Sequence, residues 1–329
     1  MRTCRLPSLL LVLPALAGCS GMQSAMNPAG KEAEQVSWLL WGMTGFLGLV
    51  FIFVLVATGA ALLGSERLRL RMARDGFILG LGLVFPAVAL TVIFFFGLSV
   101  QAERAWPDGR VPALTATITG EQWWWRVVYE GVDGTRIASA NELRIPVGES
   151  VRLNLETADV IHSFWVPNLA GKLDMIPGRT NVMTLTATKP GTYRGQCAEY
   201  CGGAHALMSF HVVALPPDEF EAWLAAEAKP TAAPATPELE HGARVFAEIG
   251  CGACHTVRGT GADGTIGPDL THVGGRLSLA AATLPNDAEA FARWIRDNQH
   301  IKPENKMPAY DILSEEELTL LARYLESLE

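Results

Sequence analysis

The chain has 329 residues, of which 49% are hydrophobic and only 18% charged, with a formal net charge of −8. A charged share below the ~25% of ordinary soluble domains excludes a disordered chain and argues against a wholly water-borne one. The acidic balance excludes a nucleic-acid binder, whose footprint is basic. Six cysteines are too few for a disulfide scaffold, so their spacing carries the information.

In chain order, Arg2 and Arg5 precede an apolar run that ends in Leu16-Ala17-Gly18-Cys19. A basic start, a short apolar stretch and small residues describe an export leader over 1–18. Small residues abutting a Cys resemble the lipobox of bacterial lipoproteins, and that likeness implies lipidation of Cys19. The other reading is an ordinary leader with a chance Cys. Two uncharged stretches follow, 38–63 and 76–100. Each exceeds the roughly 20 residues that cross a bilayer core as a helix, so a membrane hairpin is predicted over 36–103. Arg67, Arg69, Arg71 and Arg74 between the spans mark the cytoplasmic side. Everything after about residue 101 then lies on the exported face, and small residues such as Gly42, Gly45 and Gly48 suit contact with partner helices.

From 110 to 229 the apolar positions alternate, as in Val151-Arg152-Leu153-Asn154-Leu155, and turn signals such as Asp133-Gly134 and Pro146-Val147-Gly148 interrupt them. Short strands at this spacing predict a β-sandwich or barrel, closed by an amphipathic helix from Asp218. Residues 230–237 are rich in Pro and Ala and read as an exposed, semi-rigid linker. Residues 238–329 carry helical periodicity at 238–249 and 314–328, the latter opened by a capping box, Ser314-x-x-Glu317. This last region holds 15 acidic against 8 basic side chains, so nearly all of the chain's net charge sits there.

Cys251-Gly252-Ala253-Cys254-His255 follows a predicted helix. Two thiols at this spacing can add to the vinyl groups of one haem, with the adjacent His binding the iron. A zinc half-site is the other reading, but zinc wants a second ligand pair and none follows. A second axial ligand is needed, and Met307 in Lys306-Met307-Pro308 is the first candidate; His272 and His300 are rivals. Thioether ligation raises the potential, as suits an electron carrier. The region resembles a class I cytochrome c, through Cys251-x-x-Cys254-His255, Gly267-Pro268-Asp269-Leu270 and Met307. That resemblance implies covalent haem on Cys251 and Cys254, axial ligation by His255 and Met307, and a Pro268 carbonyl fixing the His255 ring.

The densest cluster is Gln196-Cys197-Ala198-Glu199-Tyr200-Cys201-Gly202-Gly203-Ala204-His205-Ala206-Leu207-Met208. Soft sulfur with imidazole selects copper or zinc over hard cations. In an exported protein a Cys197–Cys201 disulfide is an even alternative. A loop bearing Cys, Cys, His and Met resembles the copper loop of cupredoxins, with His162 as the further ligand from an earlier strand. Two thiolates suggest two coppers bridged by both sulfurs.

Over 36–229 the chain resembles subunit II of a haem-copper cytochrome c oxidase, with its two-span hairpin and binuclear CuA domain. The likeness implies that His162 and His205 each bind one copper and that Cys197 and Cys201 bridge both. It also implies weak ligation by Met208 and by the Glu199 backbone carbonyl. The Glu199 side chain would face a magnesium ion at the neighbouring subunit. Within Gln122-Trp123-Trp124-Trp125, Trp123 inherits the family's role as the point where the electron arrives; the other reading is that all three pack the barrel. Alternation puts Trp123 and Trp125 on one strand face. Lys172, Asp174 and Pro177-Gly178-Arg179 fall in the family's segment between the ligand groups, where an ordinary turn is the alternative. The chain departs from the family at Leu79, where a Glu near the proton path is common. His211 reads as structural.

The expected architecture is therefore a multidomain membrane protein: a two-helix transmembrane hairpin, a cupredoxin-like Greek-key β-barrel carrying CuA, and an all-α class I cytochrome c domain. A cytochrome c fused to subunit II matches the caa-type oxidases, and implies a respiratory oxidoreductase and translocase of the bacterial inner membrane. Electrons would pass from a donor cytochrome c or cytochrome bc complex through haem c and CuA to subunit I, where oxygen is reduced to water with proton translocation. Two alternatives remain open at the level of sequence. One is the CuA subunit of another terminal reductase, such as nitric oxide reductase; the other is a copper-delivery or thiol-redox protein.

Overall fold

The computed structural model describes residues 21–105, 112, 114–131 and 134–329. The predicted leader, Cys19 and Asp133 lie outside the described residues. Two compact units make up the chain: Glu34–Val111 and the remainder.

The first unit is helical. Helix α1 (Lys31–Leu63) is 33 residues long, or roughly 50 Å at 1.5 Å per residue. A short arginine-bearing helix, α2 (Glu66–Met72), follows. The second apolar helix is built from α3 (Asp75–Leu79), a π-helical turn (Gly80–Val84) and α4 (Phe85–Ala105). Its irregularity has a local cause. Pro86 carries no N–H and its ring crowds the carbonyl four residues back, and the Phe85 N–H reaches back five residues to the Gly80 carbonyl. Nothing in either apolar window is buried within the structure, so these helices have bare apolar surfaces of the length a bilayer covers.

The remainder begins with a β-sandwich. One sheet has the order β3-β2-β1-β5-β8: Arg136–Ala140, Trp124–Glu130, Leu114–Glu121, Val151–Thr157 and Asn181–Leu185. The other has the order β4-β10-β9-β6-β7: Glu142–Pro146, Ser209–Leu215, Gly191–Cys197, His162–Trp165 and Leu173–Met175. The β1–β5 and β4–β10 pairs are parallel, and the others are antiparallel. Parallel neighbours within antiparallel sheets require crossing connections, as in a Greek key. Strand β1 alternates buried and half-buried along its whole length, which is the period-2 pattern of the sequence expressed as one inward face. Ile118, Trp125, Leu153, Phe164 and Leu185 are almost completely buried between the sheets, each contributing about 1.5–3 kcal/mol of transfer free energy. Trp123 lies in the β1–β2 turn, yet it and Trp125 are both buried in the sandwich core while Trp124 is half-buried, and Trp125 stands edge-on to Phe164 and Phe210.

Residues 21–33 also pack on the sandwich, an arrangement the sequence did not suggest. The Ala29 N–H donates to the Asn168 carbonyl at 2.7 Å and the Lys31 N–H to the Thr186 carbonyl at 3.0 Å. Helix α5 (Pro217–Glu227) closes the sandwich, with Trp223 against Tyr129 at 5.4 Å.

The last domain has three helices: α6 (Pro237–Glu248), α7 (Ala288–Ile301) and α8 (Glu315–Glu326). Val245, Phe246, Phe291, Ile295, Leu321 and Leu325 share its core. The capping box forms as the sequence predicts: Ser314 accepts from the Glu317 N–H, and Glu317 accepts from the Ser314 N–H. Helix α7 has the same amphipathic character and an Asp287 cap, yet the sequence reading passed over it. The linker is not free, since the Thr231 N–H donates to the Arg258 carbonyl at 2.9 Å. Between the motifs, Ala280, Ala281 and Ala282 take successive left-handed φ values of 52°, 60° and 59°, a conformation that costs roughly 1–2 kcal/mol per residue outside glycine.

Candidate metal centres

The β9–β10 loop and strand β6 bring the sulfur and imidazole donors of the sandwich together. Cys197 ends β9, while Cys201 and His205 lie in the loop, Met208 directly precedes β10 and His162 opens β6. Cys197 Sγ lies 3.8 Å from Cys201 Sγ, so both thiols are free and unbonded. His162 Nδ1 is 3.8 Å from Cys197 Sγ, His205 Nδ1 is 3.4 Å from Cys201 Sγ, and Met208 Sδ is 3.8 Å from Cys201 Sγ. The Glu199 carbonyl oxygen is 3.2 Å from Cys197 Sγ. His162, Cys197, Cys201 and Met208 are all buried. The donor set is soft and enclosed, and it fits copper.

Electrostatics prepare the thiols. A hydrogen bond from Cys201 drives Cys197 towards the thiolate, helped by His162 and opposed by burial. The same pairing, with burial, pushes Cys201 up. A thiolate is the form that binds metal. Burial alone would lower His162, but its contacts with Cys197 and Asp159 hold it above the usual imidazole value.

The sequence reading missed Asp159. Its Oδ1 lies 2.8 Å from His162 Nε2, fixing the ring so that Nδ1 faces the sulfurs. Its Oδ2 accepts from the Gln122 N–H at 2.8 Å and pairs with Lys306 Nζ at 3.6 Å. A carboxylate three residues before a histidine in a loop carries no distinguishing pattern, so only the fold exposes this role. Gly120 is a second such residue: a Cβ there would fall 2.8 Å from the His162 ring.

Trp123 touches the cluster directly. Its indole Nε1 donates to the Cys201 carbonyl at 3.0 Å, and the Gln122 side-chain amide donates to the same carbonyl at 2.8 Å. The Glu199 side chain is half-exposed, 3.5 Å from Lys172, which also pairs with Asp174 at 2.9 Å. His211 lies 3.2 Å from the Ser278 hydroxyl, away from the cluster's donors.

In the last domain Cys251 and Cys254 are free, half-buried thiols on a short 3-10 turn after α6. His255 Nδ1 is 2.8 Å from the Pro268 carbonyl, which makes Nδ1 the protonated nitrogen and leaves Nε2 as a lone-pair donor. Burial lowers the His255 pKa, favouring the neutral imidazole a metal needs. Gly267 is required at the ring, since a Cβ would come within 2.5 Å of His255 Cε1. Burial pushes the Cys251 thiol up to about 11. Met307 is half-buried against the helical core. Its N–H donates to Asn305 Oδ1 at 3.0 Å, and its carbonyl accepts from Gln299 Nε2 at 3.0 Å. The rival histidines are placed otherwise: His272 Nε2 faces the Lys229 carbonyl at 3.0 Å, and His300 is exposed on α7. Two free thiols, an oriented imidazole and a thioether on one apolar core fit a covalently held haem.

These two centres share one compact unit. The segment before Met307 rests on the copper loop, with Lys302 Nζ donating to the Leu207 carbonyl at 3.0 Å and Lys306 paired with Asp159.

Comparison with known proteins agrees with both halves. The family model described as cytochrome c oxidase subunit II, periplasmic domain, matches residues 131–215, and the model described as cytochrome c matches residues 239–329. The cytochrome c oxidase subunit 2 of Alkalihalophilus pseudofirmus is 35% identical over 326 residues, covering 95% of this chain and 93% of that one. The Bacillus subtilis protein of the same name is 29% identical over 351 residues, covering 98% and 97%. Among solved structures, the periplasmic domain of subunit II from Bradyrhizobium japonicum is matched at 33% identity, covering 36% of this chain and 95% of that one, with a TM-score of 0.34. With a relative at this identity aligned over nearly the full length of both chains, the chain belongs to the cytochrome c oxidase subunit 2 family and is a component of an oxidase complex.

Proposed function

We propose that this chain is the two-centre electron relay of its oxidase, taking electrons from a donor cytochrome c or cytochrome bc complex and delivering them to subunit I. When bound, haem c and CuA supply two one-electron carriers in series, upstream of the site where subunit I reduces oxygen to water with proton translocation. Cys251 and Cys254 would hold the haem covalently, and His255 and Met307 would supply its iron with an imidazole and a thioether. His162, Cys197, Cys201, His205, Met208 and the Glu199 carbonyl would hold the paired copper. The Glu199 carboxylate would serve a magnesium ion shared with subunit I. Trp123, hydrogen-bonded to the carbonyl of Cys201, would be the point where the electron enters the copper site. The two apolar helices anchor the chain in the bacterial plasma membrane beside subunit I, with the Arg67–Arg74 turn in the cytoplasm and both metal domains outside. Lipidation of Cys19 would add a second anchor.

The observation that carries this reading is the seating of the Met307-bearing segment on the copper loop, through Lys302 on Leu207 and Lys306 on Asp159. Electron transfer between carriers needs proximity and a fixed relative geometry, and this contact supplies both. In the purified oxidase, Cys197→Ser is expected to abolish the mixed-valence copper signal in electron paramagnetic resonance while haem c is still reduced by donor. Reduction of subunit I through haem c should then stop. Onward transfer at the unmutated rate would show that the order of carriers is different.

A further inference from the structure

Met208 stands directly before β10, and the backbone on both sides of it is tied to the haem domain. On one side the Leu207 carbonyl accepts from Lys302 Nζ at 3.0 Å and from the Thr283 hydroxyl at 3.3 Å. On the other, the Ser209 N–H donates to the Ala281 carbonyl at 3.3 Å. The neighbouring strand β9 joins the same contact, its Arg194 guanidinium donating to the Ala282 carbonyl at 3.2 Å. Lys302 completes the set by donating to the Ala280 carbonyl at 3.2 Å. Three successive carbonyls of the haem domain are thus occupied, by a strand amide, an arginine and a lysine.

Those carbonyls belong to the left-handed alanine run, with φ of 52°, 60° and 59°. Left-handed residues other than glycine persist only where their surroundings over-determine them, and they gather at clamps and functional sites. Here the seam itself is what surrounds them: Ala281 is fully buried. Lys302 is the second anomaly. It is 2% exposed, and no carboxylate pairs with it among the described residues. A buried ammonium is tolerated only when hydrogen-bonded. Its two acceptors come one from each domain, so opening the seam would strip it of a partner.

We propose that the Ala280–Ala282 turn and Lys302 form a clamp by which the haem domain fixes the backbone around Met208, and so sets the approach of that thioether to the copper pair. The inference rests on the reading of Met208 as a copper ligand. Lys302 is then a positioning residue, acting on the metal through the Leu207 carbonyl. The haem domain is seated on the sandwich rather than swinging from its linker. A weak axial ligand tunes the potential and spectrum of a copper site through its distance, so the clamp gives the haem domain a structural hold on the carrier it feeds. Docking held only by charge pairs with one exposed partner, such as Lys306 with Asp159, would be weak and screened by salt. The carbonyl contacts of the clamp are partly buried and pair no opposite charges, so salt screens them far less.

The test uses the complete oxidase with both metals in place. Lys302→Met keeps the length and apolar stem of the side chain but removes its donors. The expected result is a copper optical and paramagnetic spectrum shifted in the direction that Met208→Leu shifts it, with the haem c spectrum unchanged. The Ser209 amide should exchange with solvent about tenfold faster than in the wild type, the loss expected on removing a charged donor from a shared seam. In the wild type, haem c to copper transfer should be insensitive to salt between about 0.01 and 0.15 M, where the screening length falls from roughly 30 to 8 Å. Unaltered spectrum and Ser209 exchange in Lys302→Met would overturn the clamp, as would a wild-type internal rate that falls with salt. Should Lys302→Met fail to accumulate, Thr283→Val removes one donor to the same carbonyl, and a smaller shift of the same sign is required. A wild-type complex without any paired-copper signal would instead reject the assignment of the site, and Ser209 exchange would still report on the clamp.

Discussion

At the scale of single residues, the copper nest depends on side chains that bind no metal. Asp159 is the clearest of these. It holds His162 Nε2 at 2.8 Å while its other oxygen takes the Gln122 N–H. Burial alone would raise its pKa, but these hydrogen bonds hold it below the usual carboxylate value. It therefore remains an anion and an acceptor at neutral pH. Partners that orient a metal-bound histidine are typically worth about 10–100-fold in metal affinity. Asp159→Ala is expected to lose copper at a chelator concentration about 10–100-fold lower than the wild type, with haem c content unchanged; equal retention in competitive dialysis would remove Asp159 from this role. The proposed ligands were legible in the sequence as a set, because Cys, His and Met crowded into one loop is a chemical statement at any fold. Asp159, Gly120 and Lys302 were not, because one carboxylate, one glycine or one lysine acquires meaning only from what the fold sets against it.

At the scale of elements, local rules predicted most of what formed. The capping box at Ser314 and Glu317 closes on itself, with the Glu317 N–H donating to Ser314 Oγ at 3.2 Å and the Ser314 N–H to Glu317 Oε2 at 2.9 Å. Helix α8 packs Leu318, Leu321 and Leu325 into the haem-domain core. Loss of such a cap costs about 1 kcal/mol. Ser314→Ala should lower the unfolding free energy of the haem domain by about that much, as read from denaturant unfolding followed at the haem c band, and a change near zero would mean the cap is redundant with packing. The second apolar helix shows where a local rule was only partly read. Pro86 falls inside the second apolar stretch, where a helix breaker is tolerated; the form its accommodation takes, a π turn over Gly80–Val84, depends on which carbonyl the freed amides find. Helix α7 carries its own local signature, an Asp287 cap before an amphipathic run over Ala288–Ile301. The alanine run at 280–282 could not be read at all, since a residue with a Cβ is not expected to adopt a left-handed backbone and alanine offers no side chain to signal it.

At the scale of the whole exported unit, the seam between sandwich and haem domain holds more than the clamp. Arg126 donates to the Thr265 carbonyl at 3.0 Å, Arg144 to the Gly275 carbonyl at 3.1 Å, and the Leu277 N–H to Glu142 at 2.8 Å. A cavity of about 340 Å³ lies beside these contacts, lined by Glu142, Arg144, Trp223, Glu227, His272 and Arg276 among others. Glu227 is 7% exposed there. Burial raises its pKa despite the opposing pull of Arg276, His272, Arg258 and Arg144. The folded chain consequently keeps this proton to higher pH than the unfolded chain does. From the ordinary value of 4.5 upward to the raised value, the folded state binds more protons, so stability falls as pH rises through that window and stays lower above it. Glu227→Gln should therefore match the wild type in thermal midpoint below pH 4.5 and exceed it at neutral pH, when the full chain is followed at the haem c band. A loss at neutral pH would mean that the carboxylate, ionised, is needed by its arginines.

The sequence by itself determined what this protein carries: two apolar helices, an alternating β domain with a copper loop, and a haem-binding helical domain. Each of those is written in short-range pattern, where the period of the apolar residues and the spacing of the ligands act within one element or one loop. Only the tertiary structure decided how the carriers meet. Leu207 of the copper loop lies 76 residues from Thr283 beside the alanine turn and 95 from Lys302, and the contacts run largely through backbone carbonyls and amides. Every residue type offers the same carbonyl and, proline excepted, the same amide. A seam built from such groups leaves no mark in the sequence, and it exists only once both folds have formed.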